Sequence, residues 1–351
     1  MKARPRKIGY LGLAMGVLAA AGMACLGADA AGENEGLREE LKKLPYKIVH
    51  ETYRDGNWEL YQVNADGSEL VNLTKTPKVH EMFPQVSPDG SKVAFIVDEE
   101  TGDGKVRSVW WMNRDGSDRT LVAKHARWPF WNRTGTSLCY IPDEREQFNV
   151  RDPAGRGLCV HDLATRRTTP HPNPELLHLY NLCWTPDERW MLATVSGAMG
   201  HNHAILAVAA RGNEVRRVDY ADGNRIGGCR PDISPDGKRV VWNSSDLTIS
   251  VADLDLSGPE AKALNPRILV KSQDPVFVYQ ADWSPDGRYV AFTRGPKAEK
   301  KLALSPAIIS VEARGWNICV ADANGSNSFV QVTTDGHSNK EPDWIPLPSR
   351  R

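Results

Sequence analysis

The chain has 351 residues, and its 44 basic and 44 acidic residues give a formal net charge of zero. This balance argues against a nucleic-acid-binding protein, which needs a positive surface, and against attachment to anionic lipid by charge alone. A hydrophobic fraction of 40% with 25% charged residues is typical of a folded globular protein and too apolar for a disordered chain.

The N-terminus has the three-part layout of a secretory signal peptide. Residues 2–7 are basic, residues 8–26 are apolar, and Ala28-Asp29-Ala30 is a small-x-small cleavage site. We therefore expect cleavage near Ala30 and export to the periplasm or the medium, with no membrane span afterwards. An uncleaved anchor is the alternative. Lipidation at Cys25 is not favoured, because Gly22 occupies the position where a lipoprotein signal prefers Leu or Val.

Export implies an oxidising compartment, in which disulfides form. The mature chain would keep five cysteines, so at least one thiol would stay unpaired within the chain. The sequence leaves any pairing open among Cys139, Cys159, Cys183, Cys229 and Cys319.

A Ser-Pro-Asp-Gly turn followed by an apolar strand recurs along the chain. Proline presets φ at the second turn position and glycine accepts a positive φ, so the motif predicts a tight β-hairpin. Some copies are decayed, and the last one is truncated. The positions equivalent to the serine are Ser87, Asn132, Thr185, Ser234, Ser284 and Ile345, spaced by 45, 53, 49, 50 and 61 residues.

Each repeat offers four short strands, which predicts an all-β protein, a six-bladed β-propeller of four-stranded blades. The first repeat lacks its inner strand, and the truncated copy at 339–346 supplies one. We therefore expect the ring to close by pairing of the N- and C-terminal strands. The expected organisation is a signal peptide at 1–30, a short linker at 31–45, the propeller at 46–346 and a tail at 347–351.

The repeat resembles that of TolB-type β-propellers. Residues 60–74, 84–90, 231–237 and 282–287 carry the resemblance, which extends over about 46–346. It implies the fold but not one function, since the superfamily includes a periplasmic envelope protein, propeller domains of prolyl peptidases, and oligogalacturonate lyases.

The chain differs in two ways from the families that its repeat resembles, and these differences narrow the range of possible functions. TolB has an α/β domain ahead of its propeller, whereas about 15 residues are expected here between Ala30 and the first strand. The Gly-x-Ser-x-Gly elbow of the prolyl peptidases does not occur in the sequence, which argues against serine peptidase activity.

Six of the nine histidines are predicted to share one face of the ring. Three lie seven residues before a serine-equivalent position, one lies eight residues before such a position, and two lie on a loop between second and third strands. The long insertions 143–157 and 294–315 are expected on the same face, opposite the Ser-Pro-Asp-Gly turns. The predicted partner-binding or ligand-binding face therefore includes His80, His125, His178, His201, His203 and His337.

Three of these histidines suggest an alternative, a metal site. Neutral imidazoles bind divalent transition metals, so His80, His125 and His178 could hold one ion if their loops converge. The resemblance to oligogalacturonate lyases implies a metal that acidifies the C5 proton of a uronic acid, which a base then removes. The simpler interpretation is that these histidines pack or cap their loops.

Two further sets of residues share a repeat position. Asp232, Asp282 and Asp343 are expected to bond loops and turns rather than to catalyse. Aromatic residues at the next position are expected between blades, since they bury large areas, and a sugar-stacking platform is the alternative. They are Trp131, Trp184, Trp283 and Trp344.

The sequence thus predicts an exported, monomeric, non-enzymatic propeller that binds a protein or peptide in the cell envelope. It needs no cofactor and binds no nucleic acid. The alternatives are a metal-dependent polysaccharide or oligosaccharide lyase, and a glycan-binding or small-molecule-binding module without chemistry.

Overall fold

The computed structural model describes residues 34–102, 104–143, 155–298 and 304–348. The predicted signal peptide at 1–30, with Cys25, and most of the insertion at 143–157 lie outside these residues. Across the described ranges, no helix has both the length and the apolar character that a membrane crossing requires.

The described chain begins with the short helix α1 (Glu35–Leu41). Asn34 caps it, because its side-chain oxygen accepts a hydrogen bond from the Leu37 amide at 3.0 Å. Leu37 and Leu41 are buried against the β-structure that follows, in a cluster that includes Ile48 and Trp344.

The rest of the described chain is β-structure with four strands to a unit. One sheet has the order β24 (Ser338–Pro346), β1 (Tyr46–Arg54), β2 (Asn57–Asn64), β3 (Val71–Asn72). A second contains β4 (His80–Val86), β5 (Lys92–Thr101), β6 (Gly104–Asn113) and β7 (Thr120–Lys124). A third contains β8 (Ala126–Trp131), β9 (Ser137–Pro142), β10 (Cys159–Asp162) and β11 (Thr168–Pro170).

Two consecutive four-stranded units are joined into one eight-stranded sheet. The first unit is β12 (Leu179–Trp184), β13 (Trp190–Ala198), β14 (His201–Ala209) and β15 (Val215–Tyr220). The second is β16 (Cys229–Ile233), β17 (Arg239–Ser245), β18 (Thr248–Asp255) and β19 (Ala261–Lys271). The last sheet is β20 (Val276–Trp283), β21 (Tyr289–Pro296), β22 (Asn317–Asp322) and β23 (Phe329–Gln331).

The eight-stranded sheet differs from the expectation of separate four-stranded blades. Its outer strands β15 and β19 pair in parallel, from Val218 opposite Ala261 to Tyr220 opposite Ala263. This pairing satisfies backbone groups that each outer edge would otherwise leave to solvent. The all-β, propeller-like architecture with four-stranded blades is as the sequence predicted.

The chain's last strand pairs with its first, as the two incomplete repeats predicted. β24 is antiparallel to β1, from Tyr46 opposite Pro346 to Tyr53 opposite Ser338. The inner strands β4, β8, β12, β16, β20 and β24 each contact the next in a closed cycle. They therefore surround a central channel.

The Ser-Pro-Asp-Gly turns have the hydrogen bonds that their sequence predicts. In the first, the Ser87 hydroxyl donates to the Asp89 carboxylate at 2.6 Å and accepts the Lys92 amide at 2.9 Å. Gly90 has φ of 69°, and a Cβ there would lie 2.2 Å from the Pro346 carbonyl oxygen. The glycine thus allows the turn to pack against the last strand.

The repeated tryptophans connect neighbouring sheets. The indole N–H groups of Trp131, Trp283 and Trp344 donate to backbone carbonyls of the preceding sheet, at Gln85, Asp232 and Asp282. Trp184 packs against Phe130 of the preceding sheet, with ring centroids 6.5 Å apart. This arrangement agrees with the predicted position between blades.

Each inner strand carries a bulge at the same repeat position. The ladder register shifts there in all six strands. A non-glycine residue at each bulge has φ between 46° and 60°, in the left-handed region. We call these residues the channel ring: Phe83, Trp128, Asn181, Arg230, Gln280 and Glu341.

Replacing Trp344 with alanine is expected to lower the free energy of unfolding by about 3–5 kcal/mol, as for large buried aromatic side chains. The side chain is 2% exposed and joins the closing strand to the preceding sheet. Urea denaturation gives the value. The control Val71→Ala, on an exposed outer strand, should change it by less than about 0.5 kcal/mol. Equal effects of the two substitutions would contradict the role assigned to this contact.

Candidate ligand-binding site

Two cavities lie in the channel, on opposite sides of the channel ring. The first, of about 320 Å³, opens on the face that carries the loops between second and third strands. We call it the mouth cavity. The second, of about 190 Å³, opens on the face of the Ser-Pro-Asp-Gly turns. We call it the turn-face cavity.

The mouth cavity combines aromatic, cationic and apolar walls. Residues from the inner strands and from the connection between β21 and β22 contribute most of them. Its lining consists of Arg107, Arg127, Trp128, Tyr180, Ser196, His203, Cys229, Arg230, Tyr279, Ser305, Ala307, Ile308 and Ile309. A concave apolar surface with a few convergent polar groups is the usual form of a ligand site.

Carboxylates outside the lining orient the three arginines. Arg107 binds Asp98, directly opposite it on β5, through Nε and Nη2 at 2.7 Å each. Arg230 donates from Nη1 to both Glu341 oxygens at 2.8 Å. In the Arg107–Asp98 pair two guanidinium nitrogens each bond one carboxylate oxygen, and this bidentate arrangement fixes the guanidinium in position. Arg127 forms an ion pair with Asp143.

The segment 304–313 covers part of the mouth, and buried polar groups hold its backbone. Lys340, fully buried, donates to the carbonyls of Pro306, Ile308 and Val311 at 3.3, 2.8 and 2.9 Å. Arg230 donates to the Ala307 carbonyl at 3.0 Å. Buried cationic side chains at this end of the channel therefore bind main-chain carbonyl groups of the protein itself.

Of the six histidines predicted for this face, His203 lines the mouth cavity. Its Nε2 lies 2.7 Å from the Tyr180 hydroxyl, and the two rings are stacked with centroids 6.3 Å apart. Burial lowers the pKa of His203, which favours the neutral ring at pH 7.

The other five histidines lie outside the lining of that cavity. His80 Nδ1 accepts the Trp58 amide at 3.2 Å, and His178 Nδ1 lies 3.3 Å from the Ser196 carbonyl. The His125 carbonyl accepts the Asp143 amide, and the His337 amide donates to Asp335. His201 begins β14 opposite Ala198.

The three histidines considered for a metal lie at or just before the inner strands β4, β8 and β12. Among the described residues, no group of three or more His, Cys, Asp or Glu side chains has an arrangement that could hold a metal ion. His80 and His178 each lie within hydrogen-bond distance of a neighbouring backbone group, and the metal assignment stays a prediction.

Most residues that line the mouth cavity were not predicted from the sequence. Trp128 and Arg230 belong to the channel ring, four residues before the serine-equivalent positions 132 and 234. Tyr180, Cys229 and Tyr279 each precede a ring residue by one position. The repeat spacing could have aligned these positions, but their varied residue types carry no common motif.

All five cysteines in the described chain are free thiols. Cys229 lines the mouth cavity and Cys183 lines the turn-face cavity. Burial raises the pKa of both thiols, which disfavours the thiolate and hence a nucleophilic role.

Three aspartates cluster at the turn-face cavity, two residues after the ring. Asp282, Asp232 and Asp343 all line this cavity. Burial, and then the charges of those two neighbours, raises the pKa of Asp282 well above its usual range. Burial also raises the pKa of Asp343 to about 7.

Two of these carboxylates bond the next sheet. Asp343 accepts the Val86 amide at 2.7 Å, and Asp232 accepts the Trp283 amide at 2.8 Å. These contacts agree with the predicted structural role of the aspartates.

Comparisons with known proteins identify the fold. No protein-family model and no curated protein matches the chain. Among solved structures, it is similar to TolB from Acinetobacter baumannii, with a TM-score of 0.59 at 16% identity, over 86% of this chain and 66% of that one. A protein from Agrobacterium tumefaciens described as TolB gives a TM-score of 0.54 at 14% identity, over 86% of this chain and 98% of that one.

An oligogalacturonate lyase in complex with manganese also matches, with a TM-score of 0.48 at 16% identity, over 82% of this chain and 72% of that one. At these identities the likeness shows the fold alone. The resemblance to TolB-type β-propellers is confirmed at that level, and function has to be argued from the site.

Replacing Asp282 with asparagine is expected to stabilise the protein at pH 8, by an amount on the order of 1 kcal/mol. The folded cluster retains protons that the unfolded chain releases above about pH 4. Its contribution to stability is therefore complete below that pH and is lost as the pH rises through about 7. The amide removes one ionisable group and supplies two N–H donors for the two neighbouring carboxylates.

Urea denaturation between pH 4 and pH 8 measures this effect. The variant should show a smaller loss of stability across that range, whereas the exposed control Asp274→Asn should follow the wild type. An unchanged slope, or a variant less stable at pH 8, would contradict the assignment.

Proposed function

We propose that this protein, which has a TolB-type β-propeller fold, is a non-enzymatic binding module that holds a segment of a partner protein in the mouth cavity. The observation that carries the proposal is the cavity itself, with aromatic and cationic side chains converging where the loops between strands meet. Loops at one end of a rigid scaffold commonly carry binding function.

We also propose that the propeller has six blades. The eight-stranded sheet counts as two of them, because its two units each have an inner strand with its own bulge. The cyclic contacts of the six inner strands support this count.

The proposed setting is the periplasm or the medium, with the protein as a monomer and without a cofactor. The N-terminal sequence pattern supports export, although residues 1–30 lie outside the described structure. The neutral net charge supports a protein or peptide partner, or a glycan, rather than nucleic acid.

The alternative function, a metal-dependent lyase, depends on an ion held by His80, His125 and His178. The positions of these side chains in the described structure do not support it. Stoichiometric manganese or zinc in the purified protein, lost when the three histidines are replaced by alanine, would favour the lyase over the binding module.

Blocking the mouth cavity tests the proposed function. Ser196→Trp places a large side chain in its lining, and the matched control Gln85→Trp places one in the turn-face cavity. Immobilised wild-type protein and the Gln85 variant should retain members of a random pentapeptide pool. The Ser196 variant should retain at least about tenfold less, a loss of about 1.4 kcal/mol in binding. Equal retention by the two variants would exclude the mouth cavity as the site.

Two histidines of β14 provide a finer comparison. His203→Ala removes the ring stacked on Tyr180, whereas His201→Ala changes a neighbour outside the lining. Retention of the selected peptides should fall severalfold for the His203 variant and stay unchanged for the other. If both variants bind as the wild type does, His203 does not contact the ligand.

A further inference from the structure

The connection between β21 and β22 reaches across the channel mouth to other sheets. Its residues 305–311, which we call the plug, belong to no strand. Ile309 is 4% exposed and belongs to a buried cluster that includes Trp128 of the channel ring. The Ser310 hydroxyl accepts a hydrogen bond from Arg107 of β6 at 2.7 Å. A segment that starts and ends in the last sheet therefore packs against the second and third sheets.

Three buried cations from three different sheets hold the plug. Besides Arg107, Lys340 of β24 donates to three carbonyls of the plug at 2.8–3.3 Å. Arg230 of β16 donates to the Ala307 carbonyl at 3.0 Å, and the Gln280 side chain lies 3.5 Å from the same oxygen. Arg230 and Gln280 both belong to the channel ring. The plug thus occupies hydrogen-bonding positions that two ring residues direct towards the mouth.

Release of the plug would break none of the ion pairs around it. Each of the three cations that hold the plug also has a carboxylate partner outside it. The pairs are Arg107–Asp98, Arg230–Glu341 and Lys340–Glu51. A buried charge that loses its partner is strongly unfavourable, and release avoids this penalty. The carbonyl groups that the plug gives up would be solvated by water.

The plug is structurally self-contained. Its turns are closed by hydrogen bonds from the Ile308 amide to the Ser305 carbonyl and from the Val311 amide to the Ile308 carbonyl. These bonds can move with it as a unit. Just beyond the plug, the Ala313 amide donates to a side-chain hydroxyl of β24 at 3.0 Å, and Trp316 is fully buried. The chain that follows the plug is therefore fixed to the propeller independently of it.

We propose that the plug is an autoinhibitory element, which leaves the channel mouth while the propeller stays folded and whose place a ligand takes. Such a ligand would present a hydrogen-bond acceptor to Arg230 and an apolar group in place of Ile309. Release of the plug is a property of the chain alone. The exchange with a ligand rests on the proposed binding function and adds how access to the channel ring is regulated.

Alkylation of a cysteine in the folded protein tests the release. Ile309→Cys places a thiol in the plug, and the matched control Ile96→Cys places one at a similarly buried position of the same cluster, on β5. Iodoacetamide modifies a thiol only when it is exposed, and peptide mass spectrometry distinguishes each site from the native cysteines. The thiol at 309 should react at least about a hundredfold faster, because local opening requires less free energy than unfolding of a sheet.

Dilute urea distinguishes local release from unfolding, since urea favours a transition in proportion to the surface that it exposes. Below the unfolding transition, the reaction at 309 should stay nearly constant while the reaction at 96 accelerates. Equal rates without urea, or rates that rise in parallel with it, would show that the segment leaves only when the protein unfolds. Either result would overturn the proposal.

A second substitution tests whether the described contacts hold the plug. Ser310→Ala, added to Ile309→Cys, removes the contact with Arg107, which keeps its pair with Asp98. Alkylation at 309 should then accelerate severalfold. The control Ser257→Ala removes a hydroxyl that bonds a carboxylate in an exposed turn after β18, and it should leave the rate unchanged. Equal rates in the two variants would exclude the Ser310 contact as part of the closure.

Peptide retention separates the inference from the proposed function. Ser310→Ala alone should retain the random pentapeptide pool severalfold more than the wild type, because the plug competes less well, whereas Ser257→Ala should retain it equally. Faster alkylation without a gain in retention would overturn the autoinhibitory role and leave the binding function. Retention that Ser196→Trp does not reduce would refute the mouth as the binding site, whatever the alkylation rates. Absence of retention in every variant would overturn both.

Discussion

The bulge in each inner strand is the constraint on which the channel depends. It places a non-glycine residue in the left-handed region at six equivalent positions. Each such residue costs on the order of 1 kcal/mol relative to an ordinary strand conformation. The bulge also frees a backbone amide from the ladder, and side chains of the preceding four-stranded unit accept four of these amides. The pairs are Phe83 to Glu51, Arg230 to Thr194, Gln280 to Asn243 and Glu341 to Gln280.

Because these hydrogen bonds run between consecutive four-stranded units, the strained positions also hold the ring together. The side chains at the bulges are in contact as well. Phe83 and Trp128 meet edge to face at 5.0 Å, Arg230 pairs with Glu341, and Gln280 donates to Glu341 at 2.6 Å. The channel ring thus separates two cavities, one lined by Arg107, Arg127 and Arg230 and the other by three aspartates and Arg133.

The closing strand β24 also contributes a buried ion pair next to the channel ring. Lys340 lies 3.5 Å from Glu51, and both are fully buried. Burial raises the pKa of Glu51 to about 7, and the Lys340 charge opposes that shift. Lys340 also donates to backbone carbonyls of segment 304–313. The closing strand β24 therefore both completes the ring and positions the segment that covers part of the mouth cavity.

The repeated turns and alternating apolar residues determined much of the fold before any tertiary contact was known. The motif at Ser87 and its equivalents specified the hairpins, and the incomplete first and last repeats predicted the β1–β24 pairing, because these signals are local or fixed by repeat count. The parallel joint between β15 and β19 had no such signal, since it depends on where two outer edges meet.

The candidate site likewise combines features that the sequence predicted with features that only the tertiary structure set. The sequence indicated a face and its histidines, yet of those six only His203 reaches the cavity among the described residues. The residues that line it, such as Arg107, Trp128 and Arg230, come from different repeats and have no common residue type. Their meeting is decided by the bulges and by long-range ion pairs, which appear only when the strands surround the channel. The sequence by itself determined the repeated strands and turns; the tertiary structure decided which side chains face one another across the channel, because those contacts join residues far apart in the chain.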